Sequence, residues 1–380
     1  MNKIILSTFL ALAALANVVI FGQAQHKTKS NISGNGPIVS GAFSQPLAVS
    51  WFYPVDTTHF NQVADNDRVY VPSADGTVIC LSATKGDLLW KSAPVADFTA
   101  DPLLVNGELF IAAKKGTSPT DANAGILRAI DTKTGVTLRS TDFPRPLTSM
   151  IIQAGIIYAG SEDSKVYALR VDNGSTVWSF QTGASVHGRP LLRDGKIFIG
   201  SDDKNFYAVD AASGKEIWKI QTLGKVTGLA TADSKRVYFG SSDGFVYGAD
   251  IAKGKIDWRV RTGATVDAAP INFDRRVIVG SYDNFLYALR EHSGDIIWKQ
   301  RMGNRIVSSP LVDNGTALVA PLRSTKLSVL DLRDGTLLNE TKLPEDAGEI
   351  VSAPSHQGQR IYISTDLGLL ALSSNAKIGD

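Results

Sequence analysis

Five aspartates, Asp75, Asp163, Asp203, Asp243 and Asp283, recur in polar phrases such as Gly200-Ser201-Asp202-Asp203-Lys204 and Gly280-Ser281-Tyr282-Asp283-Asn284. Carboxylates in such a series invite a metal reading. A hard cation such as calcium, however, needs roughly six to eight oxygen ligands converging on one point. One aspartate per repeat makes a ring too wide for that. A tight turn favours Asp in any case, because its carboxylate accepts nearby backbone N–H groups. These residues are therefore expected to shape turns, with no metal site. The single cysteine, Cys80, stands in VICLS where sister phrases read VYALR or FYAVD, so it takes an inward position otherwise held by alanine. It reads as a small buried hydrophobe, and one cysteine forms no intramolecular disulfide.

More varied chemistry lies in a second series of loops, GASVHGRP, LGKVTGLA, GATVDAAP and GNRIVSSP, which supply His187, Arg189, Lys225, Asp267 and Arg305. No general-base partner, nucleophile or metal spacing accompanies His187, so no catalytic residue is assigned. The set suits a polar funnel for a peptide or small ligand near the axis of the scaffold that carries the loops. Lys114 and Lys115 join it as candidates for partner binding, because they open a polar insertion, 114–125. The stretch from Leu109 to Asp131 is 22 residues against 13 from Ile197 to Asp210, nine more than its sister. Irregular loops on a rigid frame are the usual place for recognition.

The frame is legible in the tryptophans. Trp178, Trp218, Trp258 and Trp298 stand 40 residues apart, each four residues after a glycine (Gly174, Gly214, Gly254, Gly294). Self-similarity at a period near 40 marks a propeller or solenoid. One unit, from Gly188 to Trp218, holds four strand signals: RPLLRDG, IFIGS, NFYAVD and KEIWKI. Turn residues bound them, the last turn ending in Gly214, which is free to take positive φ. Second strands are expected to begin near Val69, Leu109, Ile157, Ile197, Val237, Val277, Ala317 and Ile361. The tryptophan position is likewise counted eight times, as Trp51, Trp90, Arg139, Trp178, Trp218, Trp258, Trp298 and Asn339.

The series opens on a tryptophan strand and stops after a third strand near Leu369 to Leu372. The expected fold class is thus all-β: an eight-bladed β-propeller of four-stranded antiparallel blades, closed by an N-terminal strand completing the last blade. Such closure removes an exposed sheet edge. Trp51, Trp90, Trp178, Trp218, Trp258 and Trp298 are assigned as structural docking tryptophans, wedged between blades where a large ring buries much apolar surface. Arg139 and Asn339 are expected to be more accessible than the tryptophans, since burying a charge or an amide without partners is costly.

The chain has 39 Lys plus Arg against 37 Asp plus Glu among 380 residues. It lacks the dense basic surface that general nucleic-acid binding needs. At the start, Lys3 precedes an apolar run from Ile4 to Phe21, followed by small residues before Gln25, which reads as a signal peptide over 1–24. The 18-residue run also leaves an uncleaved anchor open. Residues 25–47, rich in Ser, Gly and Asn, are expected to form a flexible linker, and 48–380 the propeller.

The phrase Ala208-Val209-Asp210-Ala211-Ala212-Ser213-Gly214-Lys215-Glu216-Ile217-Trp218, with its counterparts over 168–178 and 288–298, resembles the tryptophan-docking repeat of the quinoprotein (PQQ-like) propeller superfamily. The resemblance covers the chain from Trp51 onward and implies one of two branches. Quinone-dependent dehydrogenases are longer, with loops that build a calcium and quinone site, and many carry adjacent cysteines. BamB-like propellers of outer-membrane assembly carry no cofactor. One cysteine and little spare length favour the second branch. Two departures stand against a full match: there is no lipidated cysteine, and the Leu-x-Leu-Arg stretch by which that branch engages its barrel-assembly partner has no counterpart. The loop 142–147, DFPRPL, keeps only an apolar and basic mix. The resulting expectation is a non-enzymatic exported monomer, periplasmic or secreted, with no cofactor and no transmembrane span in the mature chain. It would act as a scaffold for envelope proteins. The alternative is a PQQ-dependent or ligand-sensing redox propeller.

Overall fold

Burial alternates along some strands and not along others, and that difference builds the blades. In Lys196–Gly200 the consecutive residues Ile197, Phe198 and Ile199 are all fully buried, as are Val237, Tyr238 and Phe239 in Arg236–Gly240. A strand apolar on both faces needs cover on both. In the outer strand Glu216–Gln221, by contrast, Trp218 and Ile220 are buried while Glu216, Lys219 and Gln221 face solvent. Between these two lies Asn205–Asp210, and Leu191–Arg193 completes the sheet on the inner side.

In the computed structural model, which describes Phe43, 47–116 and 123–374, this arrangement recurs as eight four-stranded antiparallel sheets. The second strands are Arg68–Pro72, Glu108–Lys114, Ile156–Ser161, Lys196–Gly200, Arg236–Gly240, Arg276–Gly280, Thr316–Val319 and Arg360–Thr365. Each begins one residue before its expected start, and they number blades 1 to 8. First strands are short, for example Leu103–Val105 and Ile271–Phe273. Pro102, Pro190, Pro270, Pro310 and Pro354 stand just before them, because proline has no N–H to give a ladder.

Closure is as the sequence implies. Leu47–Pro54 pairs antiparallel with Gly368–Ser374, placing Trp51 opposite Ala371 and Tyr53 opposite Leu369, so the last blade takes its outer strand from the other end of the chain. Phe43 and Leu47 are buried with Leu318, Val329, Leu343 and Ile363 where blades 7 and 8 meet. The signal-peptide segment 1–24, most of the 25–47 segment and the insertion tip 117–122 lie outside the described residues. Among the described residues no helix is long and apolar enough to cross a membrane.

The tryptophans dock by one rule. Each lies across from a small residue of the third strand: Cys80 for Trp90, Ala168 for Trp178, Ala208 for Trp218, Gly248 for Trp258, Ala288 for Trp298. The small partner lets the indole approach the second-strand ring beneath, at 5.6 Å between Trp218 and Phe198 and 5.7 Å between Trp258 and Tyr238. This accounts for Cys80, fully buried, whose thiol is pushed up to about 12 by desolvation. The other side of each ring meets the third-to-fourth-strand turn of the next blade. A side chain at Gly214 would begin 2.7 Å from Trp178, and its φ of 71° is one that glycine tolerates best. The indole N–H then donates to the carbonyl three residues before that glycine: Trp178 to Ala211 at 3.0 Å, Trp258 to Glu291 at 3.0 Å, Trp51 to Ala83 at 3.2 Å.

The expected accessibility of Arg139 and Asn339 does not hold. Both are half-buried, like Trp178 and Trp298, whereas Trp218 and Trp258 are buried. Arg139 is there because it has partners: it forms a bidentate pair with Glu108 and donates to the carbonyl of Val171 at 2.6 Å, the acceptor an indole would use.

Candidate interaction face

Successive strands of a blade alternate direction, so second-to-third-strand turns and inter-blade loops emerge on one face, and the remaining turns on the other. Hydrogen bonds tie the first two together. Gly183 N–H donates to Asp203 at 2.7 Å, Leu223 N–H to Asp243 at 3.0 Å and Gly263 N–H to Asp283 at 2.6 Å, each loop pinned to the turn of the blade it enters. The same carboxylates accept a tyrosine hydroxyl four residues on, Tyr207 to Asp203 at 2.6 Å and Tyr247 to Asp243 at 2.7 Å, and a backbone N–H two residues on. Burial works to raise the Asp203 carboxyl, but the Tyr207 hydroxyl and the N–H groups of Gly183 and Asn205 outweigh it and hold it below the usual range. The tyrosines are pushed up, by desolvation first and by their aspartates second. These aspartates are occupied as turn clamps. Among the described residues no group of three or more His, Cys, Asp and Glu is placed to hold a metal ion.

Above this uniform ring stand the variable residues, and the fold sorts them into separate groups. His187 and Lys225 share one acceptor: His187 Nδ1 lies 3.1 Å and Lys225 Nζ 2.6 Å from the two oxygens of Asp202, which is itself largely covered. Asp267 accepts from Thr227 at 2.7 Å and lies near Tyr282, whose hydroxyl is pushed up to about 12 by burial, then by the Asp267 charge and hydrogen bond. Arg305 covers the Tyr282 ring, its guanidinium carbon 5.7 Å from the ring centre. Arg189 turns the other way. It reaches Asp101 at 3.4 Å, skipping blade 3, and Asp101 also accepts the backbone N–H and side-chain amide of Asn61. Arg189 and Asp101 each precede a first-strand proline in blades 4 and 2, and equivalent residues of non-adjacent blades meet near the axis. Lys114 pairs with Asp97 at 2.9 Å and Lys115 with Asp142 at 2.8 Å, at the base of the insertion.

So Lys114, Lys115, Arg189 and Lys225 are held by neighbouring carboxylates, while Arg305 lies over a tyrosine ring. The arrangement presents fixed charges in separate groups across the face. Sequence reasoning missed Asp202, Asp101 and Tyr282. A signal for two of them exists: the residue before the turn aspartate reads Glu162, Asp202, Ser242 and Tyr282, varying where its neighbours repeat.

A family model described as outer membrane protein assembly factor BamB matches residues 44–185, 123–228, 162–266 and 202–377, overlapping stretches that together run through all eight blades. A curated outer membrane protein assembly factor BamB from Francisella salina is 30% identical over 128 residues, 31% of this chain and 23% of that protein's length. The structure of BamB from Moraxella catarrhalis superimposes with a TM-score of 0.71 at 17% identity, covering 88% of this chain and 99% of that one. The computationally designed Ika8 protein does equally well, with a TM-score of 0.71 at 15% identity over 87% of this chain and 99% of its own. A designed ring and a natural assembly factor match the backbone alike, so likeness of fold leaves function to the surface.

Proposed function

The chain belongs to the BamB family of PQQ-like propellers, and from that premise we propose that it is an exported, non-enzymatic scaffold that docks proteins of the cell envelope. The observation that carries this reading is the family match along 44–377, which spans the whole ring and not one blade. The relatives' name, outer membrane protein assembly factor, supports the envelope and a protein partner. The docking surface is the face with the second-to-third-strand turns, where Lys114, Lys115, His187, Arg189, Lys225, Asp267 and Arg305 stand beside the insertion. Fixed charges on a rigid ring set specificity and encounter rate more than raw affinity. The protein works in the periplasm or outside the cell, as a monomer and without a cofactor.

The test is capture of envelope proteins by the immobilised mature chain. Lys114→Glu, Lys115→Glu and Lys225→Glu together should weaken the captured interaction at least about tenfold, ~1.4 kcal/mol. Lys215→Glu with Lys253→Glu, on the opposite face, should leave it unchanged, and both variants should melt like the parent. Equal capture by both would remove the assignment to this face. For the redox alternative, the absorption spectrum with added PQQ and calcium should stay featureless above the aromatic band; a new band would favour that reading.

A further inference from the structure

Arg139, Glu108 and Arg170 meet at the interface of blades 2 and 3, on the face opposite the proposed docking surface. The outer strand Thr137–Phe143 carries Arg139 in place of tryptophan. The second strand of blade 2 opens with Glu108, where sister strands open with Arg68, Lys196, Arg236, Arg276 and Arg360. The third strand of blade 3 ends with Arg170, as that of blade 6 ends with Arg290, where Asp131, Asp210, Asp250 and Asp331 end theirs. Arg139 and Glu108 neutralise each other at 2.9 and 2.6 Å. Arg170 is exposed, and its guanidinium makes no hydrogen bond or ion pair among the described residues.

A cavity of about 590 Å³ opens here, within the size range of small-molecule sites. Val105, Ile156 and Val171 give it aliphatic surface, and Arg170, Asp172 and the Glu108–Arg139 pair give it charge. The hairpin turn beside it is Ala154-Gly155, and a side chain started at Gly155 would meet nothing within 4 Å. The cleft lies beside the tryptophan slot and not in it: Arg139 itself covers the Phe110 ring there, at 5.4 Å, and takes the Val171 carbonyl.

We propose that this cleft binds a monocarboxylate with an aliphatic body. The Arg170 guanidinium, free and planar, receives the carboxylate through paired N–H donors. The aliphatic lining takes the body and removes it from water. Arg139 is already paired in charge with Glu108, so Arg170 is the cation left for a carboxylate, and Asp172 disfavours a second. A free acyl amino acid and the last residue of a polypeptide offer the same chemistry.

The probe is N-acetyl-leucine, titrated into the full mature chain and followed by ligand-observed NMR, with N-acetyl-leucinamide as its neutral counterpart. The amide should bind at least about tenfold more weakly, as expected for a lost charge-assisted hydrogen bond. Arg170→Gln should bring the acid down to the amide's level without changing the melting temperature, since Arg170 is exposed and unpartnered. Equal binding of acid and amide, or acid binding undiminished by Arg170→Gln, would overturn the proposal. A pentapeptide ending in leucine separates the two sources: tighter binding than the free acid assigns a chain terminus, and equal or weaker binding assigns the small acid. The result is independent of the docking face, which lies on the other side of the ring.

Discussion

The interface between blades 4 and 5 and that between blades 7 and 8 come from the same repeat, yet an indole closes only the first. At blades 4 and 5, Trp218 lies against Gly254 of the next blade and donates to the carbonyl of Ile251 at 3.4 Å. At blades 7 and 8 no such receiver is present among the described residues. The third and fourth strands of blade 8 come from opposite ends of the chain, so no hairpin turn joins them to present a glycine and a turn carbonyl, as one does in the other blades. Asn339 stands in the tryptophan position, its amide nitrogen buried and without a hydrogen-bond partner among the described residues, while Phe43 and Leu47 fill the apolar space. The residue in one blade is thus set by the turn of the next. Blades 2 and 3 show the converse case: the receiver survives in Gly174 and Val171, but a charged pair has replaced the ring.

The largest effect should come from removing a docked indole. Trp218→Ala deletes a buried ring and should lower unfolding free energy in urea by ~3–5 kcal/mol. A loss no greater than that of Asn339→Ala would break the receiver argument.

An intermediate effect should come from the turn clamps. Asp203→Asn weakens the acceptor for the Tyr207 hydroxyl and the Gly183 N–H and should cost about 1–3 kcal/mol. The Asp203 carboxyl is held low in the fold. Its contribution is therefore present above the unfolded value, about 3.9, and is lost as pH falls through the lower folded value. A urea series from pH 5 to pH 2 should show a shallower acid decline for Asp203→Asn than for the parent. Parallel declines would mean that the carboxylate is not held by these bonds.

The smallest effect should be a gain. Asn339→Leu removes a buried amide nitrogen that lacks a partner and should raise stability by about 1 kcal/mol. A loss of similar size would show that the amide has an acceptor after all, and that blade 8 does offer a receiver.

Much of the scaffold was legible in the sequence. Eight second-strand phrases marked the blades to within one residue, and the orphan strand at Trp51 announced the closure. Cys80 could be placed as a small buried residue because its sister positions hold alanine, but its place opposite Trp90 came from the register of the strands. The candidate face was legible only in part. The loops bearing His187, Arg189, Lys225, Asp267 and Arg305 could be found by their variability, but not the carboxylates that hold them. Reading Arg139 as accessible failed because its partner, Glu108, is 31 residues away in the chain and pairs with it only once the strands of blade 2 are in place.

What the sequence determined by itself is what depends on spacing along the chain. Strand, turn and docking glycine lie within one 40-residue unit, and their side chains interact with the same neighbours each time the unit repeats. Only the tertiary structure decided the contacts that the ring imposes once it closes. Arg189 meets Asp101 across 88 residues because equivalent positions converge on the axis, and His187 and Lys225 meet on Asp202 because two loops flank one turn. Those outcomes depend on distances between blades, which no local pattern of residues encodes.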